Sequence, residues 1–143
     1  MKMIWFKPYT LEQISKLRNN TMVEFLGIEF TDITDNTFTG RMPVTDRTRQ
    51  PAGILHGGAS CVLAESIGSI AGNLVVDSEK KFCVGLDIFT SHIKMVKEGY
   101  VTATAKPLKL GSSVQVWDIT AINDAAELVS ATRLTLAVLE KRI

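Results

Sequence analysis

Six segments of the chain are rich in β-forming residues, and each of them predicts a strand. In the last four, apolar and polar positions follow a period of two, and in 101–106 this alternation predicts one buried and one wetter sheet face. Short polar connections such as the turn at 35–36 join these segments, so neighbouring strands must be mostly antiparallel. The predicted strands are 26–34, 37–44, 82–93, 100–110, 114–122 and 128–139.

Two other segments have helical patterns. Thr10 and Gln13 have the spacing of a capping box, which begins a short helix that ends at 19–20. The second segment, 57–76, is helical by its length and by its run of Ala, Leu, Ile and Ser. Because it is apolar nearly all round, we expect a helix about 30 Å long that is enclosed on most sides.

The order of these elements predicts the fold class. A helix and two strands precede the long helix, and four strands follow it. The simplest packing is an α+β fold in which a curved antiparallel sheet wraps around one central helix. The chain has 143 residues, 45% of them apolar, without a linker or repeat. We therefore expect one domain, 1–143, with a substantial core.

Charge and cysteine content exclude several classes of protein. Sixteen Lys and Arg against fifteen Asp and Glu leave a formal net charge of +1, without the basic excess of a nucleic-acid-binding protein. Cys61 and Cys83 are too few for a disulfide framework, and with His56 and His92 they match no zinc-ligand spacing. We expect no nucleic acid, no metal ion and no cofactor.

The longest weakly charged stretch, 51–76, has the length of a membrane span. Glu65 lies in its middle among Ser, Gly, His and Asn, so a buried helix of a globular protein is the better interpretation. The apolar run at the start of the sequence is shorter than that of a signal peptide. These features predict a cytoplasmic protein without membrane contact.

Glu65 is the main candidate for chemistry, because it is the only charged residue between Pro51 and Val76. A buried carboxylate is costly unless it has a structural partner or a functional role. Ser69, four residues later, lies on the same helical face and could hold a water against the carboxylate. Alternatively, its hydroxyl bonds back to the carbonyl of the preceding turn.

The second candidate is the run His56, Gly57, Gly58 where the long helix begins. The first amides of a helix are free donors at its positive end, and glycine lets a substrate approach the backbone closely. Such a place suits a developing oxyanion. The alternative is an ordinary entry into the helix, with His56 as a cap or a packed ring.

The spacing of the two candidates predicts a dimer. Gly57 and Glu65 are eight residues apart, or roughly 12 Å along one helix. That is too far for both groups to act on one carbonyl carbon. If they share a substrate, they come from different chains, in a two-fold dimer with the active sites at its interface.

The chain resembles the hotdog-fold acyl-CoA thioesterases, and within them the bacterial aryl-CoA branch that includes dihydroxynaphthoyl-CoA and hydroxybenzoyl-CoA thioesterases. The His-Gly-Gly element recurs in many hotdog proteins, whereas its combination with Glu nine residues after the His and Ser four residues further is more specific. The segments that carry the resemblance are 22–28, 42–44, 50–69, 106–113 and 116–117.

The resemblance implies a role for each matching residue. Glu65 is the catalytic carboxylate, as nucleophile or as general base, and the amide of Gly57 polarises the thioester carbonyl. Gln50 and His56 are supporting polar groups, and Ser69 places the water. A dimer of dimers is also implied. A second set of residues would hold the CoA phosphates: Ser112, Ser113, Lys94, Lys141 and Arg142.

The expected activity is hydrolysis of an acyl-CoA, with an aromatic acyl group such as 1,4-dihydroxy-2-naphthoyl or hydroxybenzoyl and a place in menaquinone biosynthesis. Two other functions remain open. One is a dehydratase that acts on acyl thioesters with a His/Glu pair, and the other is an acyl-CoA sensor without catalysis.

Overall fold

The computed structural model describes residues 2–142, so residues 1 and 143 of the predicted domain lie outside the described chain. The described part contains a six-stranded antiparallel sheet and one long helix, which confirms the predicted fold class. The helices are α1 (Leu11–Ser15), continued by a 3-10 turn (Lys16–Arg18), α2 (Met22–Phe25) and α3 (Gly57–Val75). The strands are β1 (Glu29–Ile33), β2 (Phe38–Pro43), β3 (Lys81–His92), β4 (Tyr100–Leu110), β5 (Val114–Ile122) and β6 (Leu128–Glu140).

The strand order is β1-β2-β4-β5-β6-β3, and every neighbouring pair is antiparallel. The helix α3 packs against this sheet with a face that buries Leu63, Ile67 and Ala71. Gly68 and Gly72 lie on the same face, and a Cβ on either would overlap with side chains of β5 and β6. These two glycines therefore allow α3 to pack closely against the sheet, which fixes its position.

Apart from its first turn, α3 is enclosed on most sides as expected, but the single chain leaves one face of the helix uncovered. Glu65 is exposed, and Ser66, Ser69 and Ile70 are only partly buried, so one face of α3 is open. By length and composition this helix could cross a membrane. Its packing against the sheet identifies it as the core helix of the fold instead.

The N-terminal segment differs from its prediction in one respect. The capping box is present, because Thr10 Oγ1 accepts from Gln13 N while Gln13 Oε1 accepts from Thr10 N. The predicted first strand begins at Leu26, but in the structure Leu26 caps the end of a helical turn, α2. Gly27 adopts φ +76° at the end of that turn, and the strand begins only at Glu29.

The strand β3 forms one edge of the sheet and is unusual for an edge. It is 12 residues long, and Leu86 and Phe89 on it are 58% and 72% exposed. A bulge interrupts its pairing with β6 between Gly85 and Asp87. Long apolar edges are rarely left uncovered in native proteins, which makes β3 a candidate interface.

Candidate active site

The start of α3 leaves one backbone donor free. His56 is the N-cap, and its Nδ1 accepts from the Gly58 amide at 2.8 Å. The amides of Ala59 and Ser60 donate to the His56 carbonyl. Among residues 2–142, the Gly57 amide has no acceptor. The predicted alternative of His56 as a cap is therefore observed, and it leaves the Gly57 N–H unused at the positive end of the helix.

Gly57 lines a cavity of about 280 Å³ at the start of α3. Its lining combines Gln50 and Gly57 with His92 and Lys94, among apolar side chains such as Met95. We call this space the amide cavity. It is the place where a carbonyl oxygen could reach the free donor.

His92 was not among the predicted site residues, although it lines the amide cavity. A Cβ on Gly57 would lie 2.9 Å from His92 Nε2, so the imidazole occupies the space that only glycine leaves open. The two residues are far apart in sequence. Only the return of β3 alongside α3 brings them together, and no local motif signals such a contact.

Gln50 is held in a tight turn at the mouth of the amide cavity. Its amide donates to the Ile54 carbonyl at 2.8 Å, and its side-chain Oε1 accepts from Ala52 N at 2.6 Å. Gly53, in the same turn, adopts φ +80°. Because the turn fixes Oε1, the side-chain NH₂ is the group of Gln50 that remains to donate to a ligand.

Glu65 lies in a different part of the surface. Its carboxylate sits over the edge strand, where a Cβ on Gly85 would be 2.7 Å from Glu65 Oε1. Within residues 2–142 its side chain has no hydrogen-bond or ion-pair partner, so the alternative of a structural partner is not observed. The Ser69 hydroxyl likewise makes no bond back to the preceding turn in this part of the chain.

Glu65 and Ser69 line a groove of about 430 Å³, here called the carboxylate cavity. Its walls are mainly apolar and come from the open face of α3 and from the N-terminal segment. The lining consists of Leu17, Thr21, Met22, Val23, Val62, Glu65, Ser66, Ser69 and Ile70. The structure therefore places Glu65 and Ser69 in one cavity, and Gly57 and Gln50 in another.

The residues expected to hold CoA phosphates do not converge in one chain. Ser113 O accepts from Val138 N at one end of β6, and Lys94 N donates to Val129 O at the other. Val129 and Val138 are nine positions apart along β6, or roughly 30 Å. Ser112, Lys141 and Arg142 lie with Ser113 at the first end.

Lys94 already has an anionic partner. Its Nζ lies 2.7 Å from Glu127 Oε2. Hydrogen bonds from Lys94 and then from Asn123 lower the pKa of the Glu127 carboxyl. A phosphate at the amide cavity would therefore compete with Glu127 for this lysine.

The cysteines and histidines do not form a metal site in the described residues, where no group of three potential ligands occurs. Cys61 is half-buried and free, and Cys83 is buried. Burial raises the pKa of the Cys83 thiol to about 11, so this thiol is protonated at neutral pH and is a poor nucleophile.

The cap at His56 leads to a first prediction. Replacing His56 with Ala is expected to destabilise the protein by about 1 kcal/mol, because the Gly58 amide loses its acceptor. The activity should also fall, since the first turn of α3 is then less well fixed. His56→Asn restores an acceptor at the N-cap and should recover the stability. Denaturant unfolding of both variants measures this difference, and equal stability of the two would contradict the capping role.

Comparison with known proteins finds similar sequences. The sequence model of the thioesterase superfamily matches residues 52–130. The 1,4-dihydroxy-2-naphthoyl-CoA hydrolase of Escherichia coli K12 is 48% identical over 96% of this chain and 100% of its own. The proofreading thioesterase EntH of Cronobacter turicensis is 41% identical over 96% of this chain and 99% of its own.

Solved structures share the whole architecture. A thioesterase from Haemophilus influenzae superimposes with a TM-score of 0.93 at 45% identity, covering 96% of each chain.

Proposed function

Because this chain belongs to the thioesterase superfamily and is a thioester hydrolase, we propose that it hydrolyses acyl-CoA esters at a site completed by a second copy of the chain. The observation that carries this proposal is the pair of unpartnered groups on α3. A free amide donor lies at the start of the helix, and a free carboxylate lies two turns further on. Acyl transfer needs both groups: a donor that stabilises the oxyanion, and a base or nucleophile for the attack on the carbonyl carbon.

The edge strand supports the dimer. Gly85 lies beside Glu65, and His92 lies beside Gly57. If two β3 strands pair antiparallel about a two-fold axis near Ile88 and Phe89, Gly85 of one chain comes opposite His92 of the other. That pairing brings the carboxylate cavity of each chain to the amide cavity of its partner, and it covers the exposed apolar edge.

The proposed reaction begins with the thioester carbonyl in the amide cavity. Its oxygen accepts from the Gly57 amide, with the side-chain NH₂ of Gln50 as a supporting donor. Removing one such donor typically costs about 3–4 kcal/mol of transition-state stabilisation. His56 supports the site because its Nδ1 accepts from the Gly58 amide and so fixes the first turn of α3.

Glu65 of the partner chain then acts in one of two ways. As a general base it takes a proton from a water that Ser69 holds, and the hydroxide oxygen bonds to the acyl carbon as the C–S bond breaks. As a nucleophile it forms a mixed anhydride that water cleaves afterwards. In both cases the electron pair of the C–S bond leaves on the CoA sulfur, which is then protonated.

We further propose an aromatic acyl group. The carboxylate cavity has apolar walls around Glu65, which suit a flat ring, and the polar Thr21, Ser66 and Ser69 could bond to ring hydroxyls. The name of the Escherichia coli relative points to 1,4-dihydroxy-2-naphthoyl-CoA and thus to menaquinone biosynthesis. The proposal includes a cytoplasmic location and a dimer of dimers.

The phosphates of CoA would be held by groups from both chains. Lys94 adjoins the amide cavity, whereas Ser112, Ser113, Lys141 and Arg142 lie at the far end of the sheet. In the paired dimer the far end of one chain approaches the near end of the other.

A panel of CoA esters tests the activity and its range. We expect CoA release from benzoyl-, hydroxybenzoyl- and dihydroxynaphthoyl-CoA, measured by thiol titration, with acetyl-CoA at least about tenfold poorer in kcat/KM because it buries little apolar surface. Absence of CoA release from every ester would overturn the proposal. Enoyl-CoA consumption without CoA release would identify a dehydratase, and tight binding without turnover a sensor.

A further inference from the structure

The segment between β2 and α3 folds back on itself at the mouth of the amide cavity. The His56 amide donates to the Thr48 carbonyl at 2.8 Å. Further along, the Gln50 amide donates to the Ile54 carbonyl at 2.8 Å, and a β-bridge lies between these two bonds. Residues 48–56 therefore form a closed hairpin, here called the site loop, whose base is the pair Thr48 and His56.

The two donors proposed for the thioester oxygen depend on opposite arms of the site loop. Gln50 lies on the first arm, two residues after Thr48, and Gly57 follows directly after His56 at the end of the second arm. A shift of one arm against the other changes the spacing of the two donors. Both donors reach one carbonyl oxygen only at the correct spacing, so the base of the loop sets the geometry of the oxyanion site.

The hydroxyl of Thr48 ties this base to the sheet. Thr48 is 1% exposed, and its Oγ1 donates to the Pro43 carbonyl at 2.9 Å. The same Oγ1 accepts from the Thr45 amide at 2.9 Å. Because Pro43 is the last residue of β2, these bonds fix the first arm of the site loop against the end of that strand.

The other polar ties of the site loop are more exposed to water. The Arg49 side chain donates to the carbonyls of Val44 and Lys97 at 3.3 and 3.2 Å, but Arg49 itself is exposed. Within 48–56 only Thr48 and Leu55 are buried, and the Leu55 side chain is apolar. The Thr48 hydroxyl is therefore the buried side-chain hydrogen-bonding group of the loop, where a lost bond is not replaced by water.

We propose that Thr48 is a positioning residue for the oxyanion site. Its hydroxyl holds the two arms of the site loop at the spacing that lets the Gly57 N–H and the Gln50 NH₂ reach the same carbonyl oxygen. Thr48 does not line the amide cavity, so it acts through the loop and not by contact with substrate. This inference rests on the proposed function, because it assumes that these two groups bind the thioester oxygen.

Thr48→Val tests the inference, because it removes the hydroxyl and nearly keeps the size of the side chain. We expect kcat for hydroxybenzoyl-CoA to fall at least about tenfold with KM within about threefold, since misplaced donors weaken the transition state most. Thr48→Ser keeps the hydroxyl and should retain at least about half of kcat. Circular dichroism shows whether each variant is folded at the assay temperature.

Thr39→Val is the matched control. Its hydroxyl lies 3.0 Å from the Thr104 hydroxyl, so the substitution also breaks a side-chain hydrogen bond. Thr39 lies on the sheet face opposite to α3, because its neighbour Gly40 faces Ile67 of the helix. Thr39→Val should therefore leave kcat and KM unchanged.

A double-mutant cycle separates positioning from a general loss of structure. Gln50→Ala removes one of the two donors, so their spacing no longer matters. If Thr48 acts through that spacing, adding Thr48→Val to Gln50→Ala should lower kcat by at most about threefold. A loss that is equally large with and without Gln50 overturns the inference.

Three other results would also overturn it. They are a Thr48→Val variant with the original kcat, a Thr48→Ser variant as poor as Thr48→Val, and unfolding of Thr48→Val at the assay temperature. In the last case the hydroxyl would hold the fold and not the site. Absence of CoA release by the unsubstituted chain would instead overturn the proposed function.

Discussion

Replacing Glu65 with Gln is expected to lower kcat for CoA release by at least about a hundredfold, or roughly 2.7 kcal/mol, with KM within a few-fold of the original value. Glutamine keeps the size and polarity of the side chain but is neither a base nor a nucleophile toward the thioester. The loss should therefore fall on the chemical step. Stopped-time thiol titration with a good aryl-CoA ester measures it.

Glu65→Gln should change catalysis without changing the stability of the fold. Its carboxylate is exposed and has no side-chain partner in residues 2–142, so the melting temperature should stay within about 2 °C. Glu79→Gln makes the same change at an exposed carboxylate outside both cavities, so it is the matched control and should retain most of the activity. If Glu65→Gln kept more than about a tenth of the original kcat, the role of this carboxylate in catalysis would have to be abandoned.

The second large effect is restoration of activity by mixing two inactive chains. Gly57→Val should be inactive, because its side chain would collide with His92, whose Nε2 lies 2.9 Å from the position of a Cβ. In a mixed dimer with Glu65→Gln, one of the two sites receives an intact Gly57 from one chain and an intact Glu65 from the other. Random pairing of equal amounts should therefore restore about a quarter of the wild-type activity.

The mixing experiment has a direct control. A chain that carries both substitutions, mixed with Glu65→Gln, cannot form an intact site and should stay inactive. Affinity capture through a tag on only one of the two chains confirms that mixed pairs have formed. If mixed dimers form without regaining activity, or if an isolated monomer is fully active, the two groups do not come from different chains.

Much of the fold was predictable because its signals are local. The capping box at Thr10 and Gln13, the start of α3 at Gly57 and the ends of β4 and β5 depend on nearby residues, and all agree with the structure. The rise of one helix was also enough to separate Gly57 from Glu65. Neither step required knowledge of how distant segments pack.

The features that sequence reasoning missed depend on distant contacts. The open face of α3 could not be foreseen, because Glu65 is exposed only where the sheet and the N-terminal segment happen to leave it uncovered. His92 joins the site through the pairing of β3 with β6. Lys94, just after β3, forms an ion pair with Glu127, just before β6. The helical turn α2 was hidden because a four-residue helix has too little periodicity to detect.

The bulge between Gly85 and Asp87 also affects how a single chain avoids aggregation. A lone protomer exposes a long apolar edge, which is a template for uncontrolled strand addition and amyloid-like growth. The bulge interrupts that template, and the exposed charge of Asp87 penalises slipped registers in which it would be buried without a partner. Gly85, whose missing side chain leaves room for the Glu65 carboxylate, thus also lies at a bulge that protects the edge against aggregation.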